Sequence, residues 1–588
     1  MIRRFCQINR ILRAQPISRR LNIRCLSSDG YTTSRPQSYE PKSCDEMDGN
    51  FVEETVCRVT DIQDNEMKAL PFGEDNKILL IKENGELSAI GDKCSHYGAP
   101  LVGGALGNGV VRCPWHGACF NTKTGDIEDF PGLDSLPCYK VKIQNGEIRV
   151  RAKKSDLEKN KRIKTMVKKC ESDERTFVVV GGGPSGGVAV ETLRQEGFTG
   201  RIVLICKENV LPYDRIKISK ALDTTGDKLQ FRQAAFYEEY GIEVMLGVEA
   251  TKLNTSEKTV QCSNGYSIKY DKIYIATGSR AVKPPIKGAD LGNVFTIRNV
   301  TDSNAIYKLI NKEMNVVCLG ASFIALEAAA ALVNKVKKVT LIGREEMPLK
   351  QSFGPEIGSR VLQLFEEQNV HMLMNSGIQE CIAGSDGNVN SVMLKDGSII
   401  PCDLLIMGTG TRFYTEFLKG SDVAVNTNGS IDTDMYLMSN VPDVYVGGDI
   451  ANAPVFSIAN QRATIGHYQL AQYHGRMAAI NMAGCNRQEL KAVPFFWTML
   501  FGKGFRYAGY GTAVSHQHEG SIKDLQFVTY NFDDHGNVIS VVNCAKDPGS
   551  AHFATLQSMG RRLHKNDLKD DAFAWTKTLG PAKEQRSC

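Results

Sequence analysis

Two rhythms of hydrophobic and polar positions divide the chain. Between about Phe51 and Val150, short β-type runs such as "FVEETVCRV", "KILLIKENGELSAI" and "YKVKIQNGEIRV" are separated by Gly, Asn and Asp turns. That spacing predicts a small all-β domain. From Thr176 onward apolar strands are followed by longer helical stretches, the alternation of a parallel-sheet α/β protein. Two strand–Gly-loop–helix units stand out, at Phe177–Glu208 and Val316–Glu346. Beyond Lys491 the text is aromatic and β-rich ("VPFFWTMLFGKGFRYAGYG"), which predicts a separate C-terminal α+β domain.

The segments outside these rhythms differ in charge. Arg151–Arg175 holds ten basic and five acidic residues with almost nothing to bury, and reads as a charged, partly helical tether whose lysines suit an acidic partner. Residues 29–50 are polar and turn-rich, a flexible leader. The first 28 residues carry seven arginines, three serines and no acidic residue, the amphipathic basic pattern of a mitochondrial transit peptide, with Arg24 shortly before a "LSS" processing context. A length of 588 residues predicts several domains. A net charge of +5 is small for that length and gives no case for nucleic-acid binding. No apolar run approaches 18 residues, so no transmembrane helix is expected. Most of the 17 cysteines stand alone in apolar runs, as Cys206 and Cys318 do, which is the appearance of reduced thiols rather than a disulfide framework.

Candidate chemistry begins in the all-β region. "CSHYGAPLVGGALGNGVVRCPWHG" supplies Cys94-x-His96 and, sixteen residues on, Cys113-x-x-His116. Zinc sites usually pair ligands as C-x-x-C or H-x(3–5)-H. A C-x-H pair followed by C-x-x-H instead suits a Rieske [2Fe–2S] centre, in which two cysteines hold one iron and two histidines the other. Cys94 and Cys113 then serve the inner iron, His96 and His116 the outer. "CPWHGACFNTKTGDI" also resembles the second Rieske loop and its following hairpin. High-potential Rieske proteins carry an extra cysteine in each loop; Ala99 and Trp115 stand there, so the resemblance is to the low-potential ferredoxin and oxygenase branch. Cys119 and Cys138 read as structural.

The first α/β unit has Gly181-x-Gly183-x-x-Gly186 between an apolar strand and a helix, with Pro184 and Ser185 inside the turn. Those glycines allow a tight turn and close approach of a pyrophosphate to the helix N-terminus, and Glu208 at the end of the next strand is placed for a ribose hydroxyl. The second unit is weaker: Gly320-x-Ser322-x-x-Ala325, followed by a strand that places Gly343 where an acid is usual. Glu345 or Glu346 is then the ribose partner and Arg344 a partner for a 2′-phosphate, which leaves NADH and NADPH both open.

Two such units, with "YIATGSRAVKPPIKG" and "VPDVYVGGDIA", resemble the two-dinucleotide (glutathione-reductase-like) flavoprotein reductases. The resemblance implies FAD on the first unit and NAD(P)H on the second. It also implies Asp449 on the flavin ribityl chain and Thr277 and Gly278 at the interdomain turn. "LPYDRIKISKAL" resembles a flavin-contacting segment, retaining Arg215, Ser219 and Lys220. By that resemblance Lys220 reaches the flavin near N5, paired with Glu327, and His467 begins a helix aimed at the pyrimidine edge. Trp497 is either an aromatic wall over the flavin or a core residue. No C-x(4)-C dithiol follows the first unit, and no Asp/Glu-x-x-His-x(4)-His stretch offers a mononuclear iron site.

A Rieske domain ahead of such a reductase resembles the Rieske-containing branch of the apoptosis-inducing factor family. The implied organisation is a transit peptide (1–28), leader (29–50), Rieske domain (51–150), linker (151–175), FAD domain (176–298 and 428–490), NAD(P) domain (299–427) and C-terminal reductase domain (491–588). The implied chemistry takes hydride from NAD(P)H to FAD and passes electrons singly through the Rieske cluster. A solvent-facing histidine edge would deliver them to an unknown one-electron acceptor. The competing expectation is a redox-sensing scaffold in cell-death signalling with negligible turnover.

Overall fold

Residues 50–484 and 486–579 are described by the computed structural model, and they lie in one compact unit beginning at Asn50. The transit peptide and nearly all of the leader fall outside the described residues.

Strands Phe51–Arg58, Glu147–Lys153, Cys138–Gln144, Glu86–Gly91, Asn76–Glu83 and Glu66–Phe72 form, in that order, an antiparallel sheet. The run "ILLI" in its fifth strand shows why an unbroken apolar stretch is stable there. Side chains alternate between sheet faces: Ile78 and Leu80 enter one apolar cluster, whereas Leu79 and Ile81 enter another with Cys94 and Cys113. A second, four-stranded sheet (Ala105–Gly107, Val110–Arg112, Cys119–Asn121, Ile127–Asp129) carries the second ligand loop.

The charged stretch after this domain is not a free tether. Arg151–Lys153 complete a strand, Lys154–Lys159 form a helical turn, and Arg162 exchanges two 2.8 Å backbone hydrogen bonds with Ser135. Further along, the Val167 amide donates to Arg194 O (3.1 Å) and the Cys170 amide to Thr199 O (2.8 Å). Most of the lysine side chains keep to solvent while the backbone stitches the Rieske domain to the flavoprotein, and the Arg162 guanidinium adds bonds to Leu136 O and Thr124 O, so side-chain polarity conceals the pairing.

The first α/β unit forms a parallel sheet ordered Ile242–Leu246, Arg201–Cys206, Thr176–Val180, Lys272–Ile275 and Val444–Val446. Its central strand is buried on both faces, as a βαβ sheet covered by helices requires. Helix α1 (Pro184–Gln195) follows the glycine turn. The second unit is also parallel, ordered Val294–Phe295, Leu404–Met407, Asn315–Leu319, Lys338–Ile342 and Val370–Leu373, with α2 (Phe323–Leu332) after its turn. Both expected boundaries of this domain shift. Val294–Phe295 already pair in its sheet, whereas Phe417, Leu418 and Val423 pack in the core of the first unit. The crossing is an antiparallel ribbon, Ser279–Ala281 on Thr411–Phe413, and the chain changes domain there rather than near residue 428.

Helix α3 (Tyr468–Ala483) returns to the first unit. It packs so closely on α1 that a Cβ on Gly475 would lie 2.1 Å from Ser185 O. The C-terminal region is α+β: an antiparallel sheet ordered Phe495–Leu500, Lys503–Gly509, Val538–Cys544, Gln526–Phe532 and Ser515–Ser521, covered by α4 (Gly549–Ser558).

Candidate functional site

The two ligand loops are built alike. Cys94 N–H donates to Ala99 O at 2.9 Å and Gly98 N–H to Cys94 O at 2.9 Å; Cys113 N–H donates to Ala118 O at 2.8 Å and Gly117 N–H to Cys113 O at 3.2 Å. Gly98 and Gly117 have φ of +76° and +80°, a left-handed conformation that lets each loop fold back over its cysteine. The loops bury both thiols and bring His96 Nδ1 to 3.2 Å from His116 Nδ1. A hydrogen bond to Cys113 and burial push the Cys94 thiol up. Cys113 is pulled down, against its own burial, by that bond and by the His116 amide. Burial lowers His96 to about 3 and His116 to about 2, keeping both rings neutral as metal ligands must be.

This donor set fits a [2Fe–2S] cluster: two buried thiols lie behind two neutral imidazoles whose Nδ1 atoms face one another. Among the described residues no three His, Cys, Asp or Glu side chains converge on a single-ion site. Ala99 is buried and Trp115 half-exposed at the positions where a bracing disulfide would need cysteines. Cys119 is buried, and Cys138 is exposed with its Sγ 2.8 Å from Lys123 O.

A cavity of about 730 Å³ opens at the first glycine turn, lined among others by Gly181, Gly183, Pro184, Ser185, Glu208 and Arg215. Gly181 has φ +124° and its Cβ would lie 2.2 Å from Ala276 O; a Cβ on Gly186 would lie 1.9 Å from Gly181 O. Those two glycines close the turn, while Gly183 faces open space. Glu208 accepts from Tyr213 OH (2.8 Å) and pairs with Arg215.

Beside the glycine turn Thr277 Oγ1 donates to Tyr414 O (3.0 Å), and Gly278 sits at φ +65°. Asp449 accepts from Ser279 Oγ (3.0 Å) and the Arg298 guanidinium (2.9 Å), two partners whose own sequence context gives no signal. His474, also missed, accepts the Gly448 amide at 3.2 Å and is lowered by burial to about 4.

Lys220 and Glu327 meet across the two α/β units at 2.8 Å. The Glu327 carboxylate also accepts from Ser219 Oγ (2.5 Å) and Thr498 Oγ1 (2.7 Å), so three side chains from two segments hold it. His467 stands just before α3, and its buried Nδ1 has no hydrogen-bond partner. With the free amides of the first helical turn, that orphan nitrogen and the open glycine cradle fit a dinucleotide with a hydrogen-bonding ring edge, as FAD is.

The second turn is less committed. Gly320 (φ +117°) would place a Cβ 2.4 Å from Gly408 O, and Ala325 is fully buried behind it. Ser322 is exposed and lies 3.4 Å from Gly408 O. Gly343 packs closely on its neighbours: a Cβ there would lie 2.9 Å from the Ala321 Cβ and 2.7 Å from the Met374 methyl, so a larger side chain needs both to shift. Arg344 and Glu345 are exposed beyond it, and Glu346 pairs with Lys350 at 2.9 Å.

Trp497 joins the two sites. It lines the large cavity, and its ring lies 5.7 Å from that of His467, 4.7 Å from His116 and 6.2 Å from His96. The histidine edge expected at the solvent is therefore turned inward and half-buried. The cause is tertiary: the second ligand loop packs on Phe495, so tightly that a Cβ on Gly117 would lie 2.6 Å from the ring.

Comparison with known proteins agrees with both halves. Residues 53–140 match the Rieske [2Fe-2S] domain family, and residues 175–475 match the pyridine nucleotide-disulphide oxidoreductase family. Apoptosis-inducing factor 3 of Homo sapiens is 38% identical over 543 residues, 91% of this chain and 88% of that one. The chain belongs to the apoptosis-inducing factor 3 family. A ferredoxin reductase subunit of a 5,5′-dehydrodivanillate O-demethylase from a Sphingobium species is 30% identical, covering 67% of this chain and 95% of that one. The structure of a covalent putidaredoxin reductase–putidaredoxin complex shares the fold, with TM-score 0.65 and 22% identity over 70% of this chain and all of that one. This family member is thus an oxidoreductase that uses FAD, NAD(P)H and a Rieske cluster.

Proposed function

We propose that this protein passes electrons from NAD(P)H through FAD to its own Rieske cluster and on, one at a time, to a separate acceptor. The observation that carries the reading is the place of Trp497, a single aromatic side chain in contact with the flavin cavity and with both cluster histidines. Bound FAD supplies acceptance of a hydride and release of single electrons, and the cluster supplies one-electron storage.

The chain's residues divide the remaining work. Cys94, Cys113, His96 and His116 hold the cluster. Gly181, Gly183, Pro184, Ser185 and Gly186 seat the pyrophosphate at the start of α1, and Glu208 takes the ribose. Asp449, Thr277, Gly278 and Arg215 fix the ribityl side, with His467 at the ring edge. Lys220 holds positive charge beside the reducible ring while Glu327 fixes its Nζ at 2.8 Å. On the nucleotide side Gly320, Ser322 and Ala325 form the turn and Glu345 the ribose contact. The Arg-rich first 28 residues support a mitochondrial address.

Anaerobic mixing with NADH or NADPH tests this reading. Flavin bleaching followed by the electron-spin signal of a reduced Rieske centre is the expected sequence. A flavin indifferent to both nucleotides would favour the redox-sensing scaffold, to which the human relative's name lends a cell-death setting. Removing the cluster with His96→Ala should abolish acceptor reduction; undiminished acceptor reduction would mean that the Rieske domain only docks.

A further inference from the structure

With the histidine edge turned toward Trp497, electrons need another way out of the cluster. Tyr97 stacks on the His96 ring with centroids 3.8 Å apart and planes at 17°, yet it remains 39% exposed. Trp115, beside His116 at 6.3 Å, is 37% exposed, and Val102 on the first ligand loop is 40% exposed. These are large apolar side chains left in water on the two loops that hold the cluster. A patch of this kind on an otherwise polar surface marks a contact site.

The exposed charges around the patch include three lysines, with the Asp214 carboxylate held on the Tyr97 hydroxyl. Lys217 lies 5.1 Å over the Tyr97 ring and is exposed. Lys161 is exposed as well. Lys93, next to Cys94, is exposed beside Asn160, whose side chain donates to Lys93 O at 2.7 Å. The nearby carboxylates are already engaged: Asp214 accepts from Tyr97 OH at 2.6 Å, Asp134 pairs with Arg232 at 2.8 Å, and Asp547 pairs with Arg506 at 3.3 Å. Among the described residues none of the three lysines has an ion-pair partner. The charged stretch after the Rieske domain thus places Lys161 next to Asn160, which is fixed on the backbone of the first ligand loop.

We propose that this aromatic, lysine-rimmed face is the docking site for an acidic one-electron carrier protein, with Tyr97 as the ring through which the cluster is reoxidised. Each docking event oxidises the cluster by one electron and reduces the carrier's centre by one. Two events clear one hydride, so that NAD(P)H and two oxidised carriers give NAD(P)+, a proton and two reduced carriers. The proposal rests on the internal chain argued above, but binding tests it separately from turnover.

The soluble domain of cytochrome b5 serves as an acidic haem probe and cytochrome c as a basic one. Calorimetry with all centres oxidised should show salt-sensitive binding of cytochrome b5 and none of cytochrome c. Lys217→Glu should weaken cytochrome b5 binding about tenfold, as loss and reversal of a rim charge predicts. In turnover the same variant should raise KM for cytochrome b5 about tenfold with kcat held, and leave reduction of a neutral quinone unchanged. Lys161→Glu should act in the same direction. Binding of cytochrome b5 that is absent or indifferent to both substitutions would overturn the proposal even if NADH still reduces the cluster. A cluster that NADH fails to reduce, with binding intact, would instead overturn the internal chain.

Discussion

Trp497 is the residue on which the coupling of the two sites turns, because its ring contacts His116, His96 and His467. In Trp497→Leu, nucleotide-driven flavin bleaching should keep its rate while cluster reduction slows at least about tenfold, equivalent to about 1.4 kcal/mol of added barrier. Stopped-flow absorbance with freeze-quenched electron-spin detection separates the two steps, and equal cluster rates would remove Trp497 from the path. A second residue-scale effect is a pH dependence. Burial holds His474 at about 4 in the folded chain, against about 6.5 when unfolded. The unfolded state therefore takes up the proton first as pH falls. Stability from this group is full above pH 6.5 and declines between 6.5 and 4, by about 2 kcal/mol at pH 5 at about 1.4 kcal/mol per unit. His474→Gln keeps an acceptor for the Gly448 amide but cannot titrate. With FAD in excess its melting temperature should fall less than wild type's between pH 6.5 and 5; parallel curves would assign the acid sensitivity elsewhere.

At the scale of elements, one buried ion pair ties the second ligand loop to the flavoprotein. Arg112 donates to Gly117 O (2.9 Å) and Asp129 Oδ2 (3.1 Å), and its Nε to Thr555 Oγ1 of α4 (3.3 Å). Asp129 Oδ1 accepts from Gln469 of α3 at 2.7 Å. Burial raises the Asp129 carboxyl, and the Arg112 guanidinium, the Phe130 amide and Gln469 draw it back. Removing one partner of such a pair leaves an uncompensated charge and costs about 3–5 kcal/mol. Asp129→Asn should therefore lower the urea midpoint for loss of cluster absorbance, while nucleotide reduction of the flavin in folded protein stays near wild type. An unchanged midpoint would show that the pair does not brace the loop. The sequence announces the loops themselves, because Cys94, His96, Cys113, His116 and the glycines closing each turn lie within 24 consecutive residues. It likewise announces both glycine turns, whose strand, loop and helix are contiguous. It misleads at Arg151–Arg175, where charged side chains mask a backbone that pairs with Ser135, Arg194 and Thr199.

At the scale of the whole molecule, the decisive arrangement lies beyond local reading, since its contacts join positions far apart: Arg112 and Thr555 are 443 positions apart. An isolated "FFWTML" reads equally well as core or as cofactor wall, and only the docked Rieske domain shows Trp497 to be the contact between two sites. That docking is a packed interface. Ala105 of the Rieske domain lies in the apolar cluster of the C-terminal domain, and Val188 of α1 lies in the cluster around Cys94 and Cys113. Gly107 marks its tightest point: a Cβ there would lie 2.5 Å from Leu579 O and 3.2 Å from the Thr555 methyl. Backbone on one side and a close-packed helix on the other leave no room to yield, so Gly107→Val must wedge the domains apart. The expected result is a protein with both cofactors loaded and flavin reduction by nucleotide unchanged, but with slower cluster reduction. Hydrogen exchange should rise together in the second ligand loop and in Phe495–Leu500, the two surfaces that face each other at the histidines. A rise confined to Ala105–Gly107 with unchanged cluster reduction would mean that the electron path survives without the interface, and that Trp497 and His116 are held together by their own contact alone.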